Sequence, residues 1–239
     1  MNVDQILQHY SQGQRNFTQL NLRELDLHNI QLQGINFNQS DLRQSRLGKA
    51  NLKEATLREA NLSEAILWGT DLTAADLYRS ILLDADLSGA LLQRATLEWT
   101  NLNKATLSGA NLSHARLLHA QLFNADFSSS AEQVTNLEGA ILSYADLCYA
   151  NLRGANLAQS SLEGAKLYRA QLGRSLHPPA KITNLQHASL KEADLSFADL
   201  SGADLRQADL TGADLTGTLL IDANLEGTIM PDGSVHHWA

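Results

Sequence analysis

The chain has 239 residues, 18 basic and 26 acidic side chains, a formal net charge of −8 and a single cysteine. That balance argues against direct binding of nucleic acid, because phosphate contact needs a surplus of Lys and Arg. Cys148 alone cannot form an internal disulfide, and no run of 18 apolar residues offers a membrane span, so a cytoplasmic protein is expected.

Residues 1–15 read as a cap. Val3, Ile6, Leu7 and Tyr10 fall at helical spacing, Asn2 stands at the N-cap position and Gly13 at the stop, which predicts a short amphipathic helix over 2–12. Asp4 and the lack of a basic stretch before an apolar run argue against a secretion signal. From Phe17 onward a large apolar residue returns at every fifth position, and the 40 positions to Leu225 hold 37 Leu and 3 Phe. Two residues before most of them stands a small residue, Ala in 26 of the 40, and the residue immediately before is Asn or Asp at 24 of them. A period of five suits neither a helix nor an alternating strand. It suits one side of a polygonal coil, with the Leu filling the interior, the small residue where backbones crowd, and Asn or Asp bonding nearby backbone at a turn. In the first coil the small slots hold Leu20, Leu25, Ile30 and Ile35, bulk that fits packing against the cap helix.

The repeat region, 16–230, is interrupted at 128–135 and 173–183. Glu132 stands where a Leu belongs, and a carboxylate does not enter an apolar interior cheaply, so the first break is expected to bulge outward. Leu172 and Leu185 are 13 residues apart, and Pro178 and Pro179 lack ladder donors, so the second is expected to protrude as a loop. Each loop reads equally as a binding element or a tolerated insertion. The rhythm returns once at Met230, then gives way to a Pro-Asp-Gly turn and a tail over 231–239, in which Trp238 is placed to fold over the last coil.

Stretches such as ADLTGADLTG and ANLRGANLAQ resemble the A(D/N)LXX pattern of the pentapeptide repeat family. The resemblance implies an all-β solenoid, a right-handed quadrilateral β-helix of four repeats per coil and about ten coils. The non-repeat ends, ILQHYSQGQRNF and IMPDGS, are similar to those of a cyanobacterial branch associated with control of heterocyst differentiation. That likeness implies a regulator acting through contact with a regulatory protein of the heterocyst pathway, with no catalytic residues to carry over. Other family members resemble B-DNA in size and charge and bind DNA gyrase. Here that alternative meets a lopsided charge: residues 1–183 have 16 basic and 17 acidic side chains, net −1, and residues 184–239 have two and nine, net −7.

No pattern for an enzyme, metal or cofactor site emerges. Asp194, Asp199, Asp204, Asp209 and Asp214 are successive occupants of one repeat position, and His114, His119, His236 and His237 read as surface groups. The outward positions are the two after each core Leu, and coils align residues 20 apart. Columns then bring Tyr78, Arg79, Trp99, Leu118 and His119 into one patch, with Leu83 and Phe123 outward on the adjoining side. A second cluster holds Tyr144, Cys148, Tyr149, Tyr168 and Arg169. Such residues either anchor a protein partner or stack to tie neighbouring coils together. The expectation is a monomeric, non-enzymatic scaffold whose first patch engages a protein.

Overall fold

The computed structural model describes residues 1–129, 132–175 and 180–237. The chain opens with helix α1, Val3–Ser11. Its first turn is closed by reciprocal bonds: the Asn2 side chain accepts the Gln5 N–H at 2.9 Å, and Gln5 Oε1 accepts the Asn2 N–H at 3.0 Å. Gly13, at φ +93°, takes the left-handed conformation that ends the segment. Ile6 is fully buried, Val3 and Tyr10 pack beside it, and the Tyr10 hydroxyl donates to the Gln33 carbonyl at 2.8 Å. Leu7, expected on the packed face, is exposed, because it lies a further 100° round the helix from Ile6 and reaches the flank.

From Asn16 onward the backbone forms parallel bridges between residues 20 apart, Asn16 to Asn36, Asn21 to Asp41 and so on, so four pentads complete one turn. We number the sides by their core residues: side one at Phe17, side two at Leu22, side three at Leu27 and side four at Leu32. Core amides up to Leu210 donate to the next coil, as Leu22 does to Asp41 O at 2.7 Å, and most corners close by a turn such as Ala50 N to Leu47 O at 2.9 Å. The interior holds the leucines, the three phenylalanines and the alanines. A fully buried Leu contributes about 1.5–3 kcal/mol relative to exposure, so the repeated core is what holds so many corners in register.

The Asn and Asp before the core residues bond nearby backbone at the corners as expected, but they are not the residues that take the left-handed conformation. The left-handed residue is the second after the core residue at most corners, and where it is not glycine φ lies between 54 and 61°, even for Glu24, Trp99 or Tyr149. Asn and Asp accept the N–H two residues on, as Asp26 Oδ1 does from His28 at 3.1 Å. In the first coil Ile35 is fully buried, while Leu20, Leu25 and Ile30 pack partly buried against the core alongside Val3 and Tyr10.

Both insertions leave at the corner between sides three and four. Across them the bridge spacing grows from 20 to 25 (Asn111 to Asn136) and to 28 (Asn156 to Asn184). Glu132 is exposed as expected; Ser130, Ala131 and the Pro178–Pro179 pair lie outside the described residues. One device closes both. The Thr135 hydroxyl accepts the Gly109 N–H at 2.8 Å and donates to Ser128 O at 3.1 Å. The Thr183 hydroxyl accepts the Gly154 N–H at 2.8 Å and donates to Gly173 O at 2.6 Å. Each hydroxyl is spliced between a ladder donor and its usual carbonyl, with a long direct bond of 3.4 Å from Gly154 N to Gly173 O kept beside Thr183, so neither group is left unpaired.

At the far end the chain reverses through Pro231, Asp232 and Gly233. Val235 pairs antiparallel with Ile229, and the Gly227 N–H reaches His236 O at 2.9 Å. Pro before a turn ending in left-handed Gly233 is ordinary hairpin chemistry. Trp238 lies outside the described residues.

Candidate interaction surface

On side one, Trp99, His119 and Tyr144 form a stack in successive coils, with ring centroids 4.2 and 5.4 Å apart and planes tilted by 27° and 20°. Trp99 and Tyr144 are about half exposed. Tyr144 lies across Gly164, where a Cβ would come within 2.5 Å of the ring at φ +62°, so the glycine makes room for the stack. One coil earlier, Tyr78 sits between Arg58 and Arg79, whose guanidinium carbons are 4.5 and 5.2 Å from its ring centre. Arg58 also pairs with Asp76 at 2.8 Å, and Arg116 with Glu98 at 2.6 Å. Leu118 is half-buried, in line with Tyr78 and Glu98 of the preceding coils.

Phe123 belongs to a second run on side two, Phe123, Tyr149, Tyr168 and Phe197, in edge-to-face contacts of 5.5, 5.6 and 5.8 Å. Arg169 rests on the Tyr168 and Phe197 rings. Leu83 is half-buried on the same side, separated from Phe123 by Asn103, whose side chain accepts the Phe123 N–H at 2.9 Å. The predicted patch and second cluster are thus redistributed: Tyr144 joins Trp99 and His119, and Phe123 joins Tyr149 and Tyr168. Phe197 was missed by the column reading. The signal was present, since the 13-residue gap after Leu172 lengthens the column spacing to 28 and aligns Arg169 with Phe197.

Cys148 lies half-buried in the second run, and burial, followed by the neighbouring Asp146 carboxylate, pushes its thiol up to about 11. His114 and His119 are on different sides and do not act together. His236, expected to face solvent, is half-buried in the closing hairpin, where its N–H donates to Thr228 O at 2.8 Å. Among the described residues no three His, Cys, Asp or Glu converge as metal ligands would, and no helix is long and apolar enough to cross a membrane. Between the two insertions a cleft of about 660 Å³ is lined by Leu91, Asn111, Val134, Asn156, Ile182 and Asn184.

These features define a class: a four-sided parallel β-solenoid whose distinctive groups form ladders on its outer faces. The chain belongs to the pentapeptide repeat family, whose model, described as pentapeptide repeats, matches in eight copies across 21–128, 135–175 and 183–232. The family fold is a right-handed quadrilateral β-helix. The chain is 54% identical to HetL, a pentapeptide repeat protein involved in heterocyst differentiation regulation from the cyanobacterium Nostoc sp. strain PCC 7120, over 99% of this chain and 100% of that one, with a TM-score of 0.98. It is 18% identical to QnrB1, a plasmid-mediated fluoroquinolone resistance protein (88% and 92% covered, TM-score 0.37). It is 28% identical to a pentapeptide repeat protein of the Arabidopsis thaliana thylakoid lumen (45% and 68% covered, TM-score 0.31). No match to a curated protein was found.

Proposed function

We propose that this protein is a cytoplasmic, monomeric, non-enzymatic scaffold that regulates heterocyst differentiation by binding a regulatory protein through side one. The observation that carries this reading is the half-exposed Trp99–His119–Tyr144 stack next to the Arg-flanked Tyr78. Trp, Tyr and Arg dominate interface energetics, and a side chain already fixed by its neighbours loses little freedom on binding. Similarity to HetL over the whole length supports the pathway. The alternative, a gyrase-binding DNA mimic, draws on the acidic stretch 184–239. It is less favoured because Asp199, Asp204 and Asp209 are each paired with a basic side chain rather than left as bare charge.

The test is affinity capture from a cyanobacterial lysate, comparing wild type with Tyr78→Ala/Trp99→Ala. A regulatory protein held by the wild type and lost by the variant is the expected result. Equal recovery by both would move the interface to the cleft between the insertions, and gyrase in both eluates would favour the alternative.

A further inference from the structure

The last coil leaves part of its ladder open. One coil earlier on side two, Leu195 N donates to Asp214 O at 2.9 Å and Phe197 N to Thr216 O at 2.8 Å, while Asp214 N returns a bond to Ala193 O at 2.9 Å. In the last coil the equivalent groups on sides two and three have no partner among the described residues: the N–H of Leu215, Gly217, Leu220 and Asp222, and the carbonyls of Ala213 and Thr218. The closing hairpin serves the neighbouring sides instead, with Gly212 N on Pro231 O and Gly227 N on His236 O, both at 2.9 Å. The open rim is also apolar. Leu219 and Ile221 are 49% and 64% exposed, and the core residues Leu215 and Leu220 are only partly buried. An unpaired sheet edge of this kind is a template for another strand.

Charge selects the strand. Beyond Arg206 the sequence holds five acidic side chains and no Lys or Arg. Asp209 is paired with Lys191 at 3.2 Å, but Asp214, Asp222, Glu226 and Asp232 are exposed and form no ion pair among the described residues. The nearest cations belong to earlier coils: Arg206 is held by Asp204 at 2.8 Å, and Arg174 lies over Gly202. Lys166 and Arg169 stand two coils, about 10 Å, behind the rim. Adding Arg153 and Arg174 to the net −7 of residues 184–239 still leaves −5. A second copy of this chain would set these carboxylates against their own kind with no cation between them.

We infer that the open end of the last coil, over sides two and three, takes an extended segment of a partner protein that is both apolar and basic, added as a further strand. The register follows from the existing ladder. A residue above Asp214 donates to Ala213 O and accepts from Leu215 N, and the chain then turns the corner to repeat the pattern above Leu219. The segment therefore carries large apolar residues at the spacing of Leu215 and Leu220, which they cover, and cations at the spacing of Asp214 and Asp222. This surface is separate from side one and does not depend on it.

Fluorescence anisotropy tests this on the full chain with a labelled peptide, Lys-Leu-Thr-Gly-Ala-Val-Leu-Val-Lys, whose glycine suits the left-handed corner. Versions with Glu for Lys and with Ser for Leu are the controls. The lysine peptide is expected to bind best, to weaken as salt rises, and to slow hydrogen exchange of the Leu215, Gly217, Leu220 and Asp222 amides. Either control is expected to bind about tenfold more weakly. Asp214→Asn/Asp222→Asn is expected to weaken the lysine peptide about fivefold, and should fold normally because the Asn oxygen at 214 keeps the corner bond to Thr216. Tyr78→Ala/Trp99→Ala should leave peptide binding unchanged, so either surface can fail without the other. No binding of the lysine peptide, equal binding of the Glu peptide, binding that leaves those amides unprotected, or indifference to the Asp changes would each overturn the inference. So would sedimentation showing that the protein pairs with itself and protects the same amides without any peptide.

Discussion

At its N-terminal end the coil is covered by α1, which buries Ile6 completely and meets a first coil thickened by Leu20, Leu25, Ile30 and Ile35. At the other end the hairpin through Gly233 pairs with the backbone around 227–230, while Leu215, Leu220 and Leu225 of the last pentads stay only partly buried. Repeats of one kind are therefore worth different amounts according to what lies above them, as nearest-neighbour stacking requires. The largest expected effect tests the closed end. Ile6→Ala should cost about 2–4 kcal/mol in chemical denaturation, whereas Leu220→Ala should cost only about 1 kcal/mol, because part of that side chain is already in water. Equal losses would erase the distinction.

A smaller effect is expected from Asn2→Ala, which removes the reciprocal cap bonds with Gln5 and should lower stability by about 1 kcal/mol. Hydrogen exchange should place that loss in the first coil alone. The smallest concerns acid. Burial alone would raise Asp199, Asp204 and Asp209, but bonds from neighbouring hydroxyl, backbone or basic groups outweigh it and hold all three below the ordinary 3.8. Asp214 and Asp232 are lowered by their Thr216 and Ser234 bonds, while at the opposite end Asp41 is lowered chiefly by Arg43. Stabilisation from a lowered carboxyl is complete above the unfolded value and is lost as pH falls through the folded one. Below pH 3.8 the less covered end should therefore open first, seen as earlier exchange of the amides in 199–229 than of those in 16–46.

The interior was legible residue by residue, because one Leu every fifth place has a single geometric meaning and Asn2 and Gly13 are local signals with local outcomes. The left-handed corner residue was not. Its side chain varies freely from Glu24 to Trp99, since the backbone there is forced by the core on either side rather than chosen by that residue. Nor did Thr135 and Thr183 look different from other small-slot residues such as Thr70; only the lost or stretched ladder bond beside them gives their hydroxyls a new task. Of the surface, Trp99 with His119 followed from the spacing of 20, while Tyr144 and Phe197 were misassigned or missed because the spacing across the insertions becomes 25 and 28.

The hydroxyl splice at Thr135 and Thr183 makes the corner between sides three and four a mounting point. It accommodates five additional residues in one case (25 less 20) and eight in the other (28 less 20) with the same closure. What is mounted is thereby uncoupled in length from the pitch of the coil. A threonine two places before the resuming Leu, with a carbonyl beneath it and an amide opposite, is a portable joint by which foreign sequence can be carried on such a rod while the stacked leucines stay where they are.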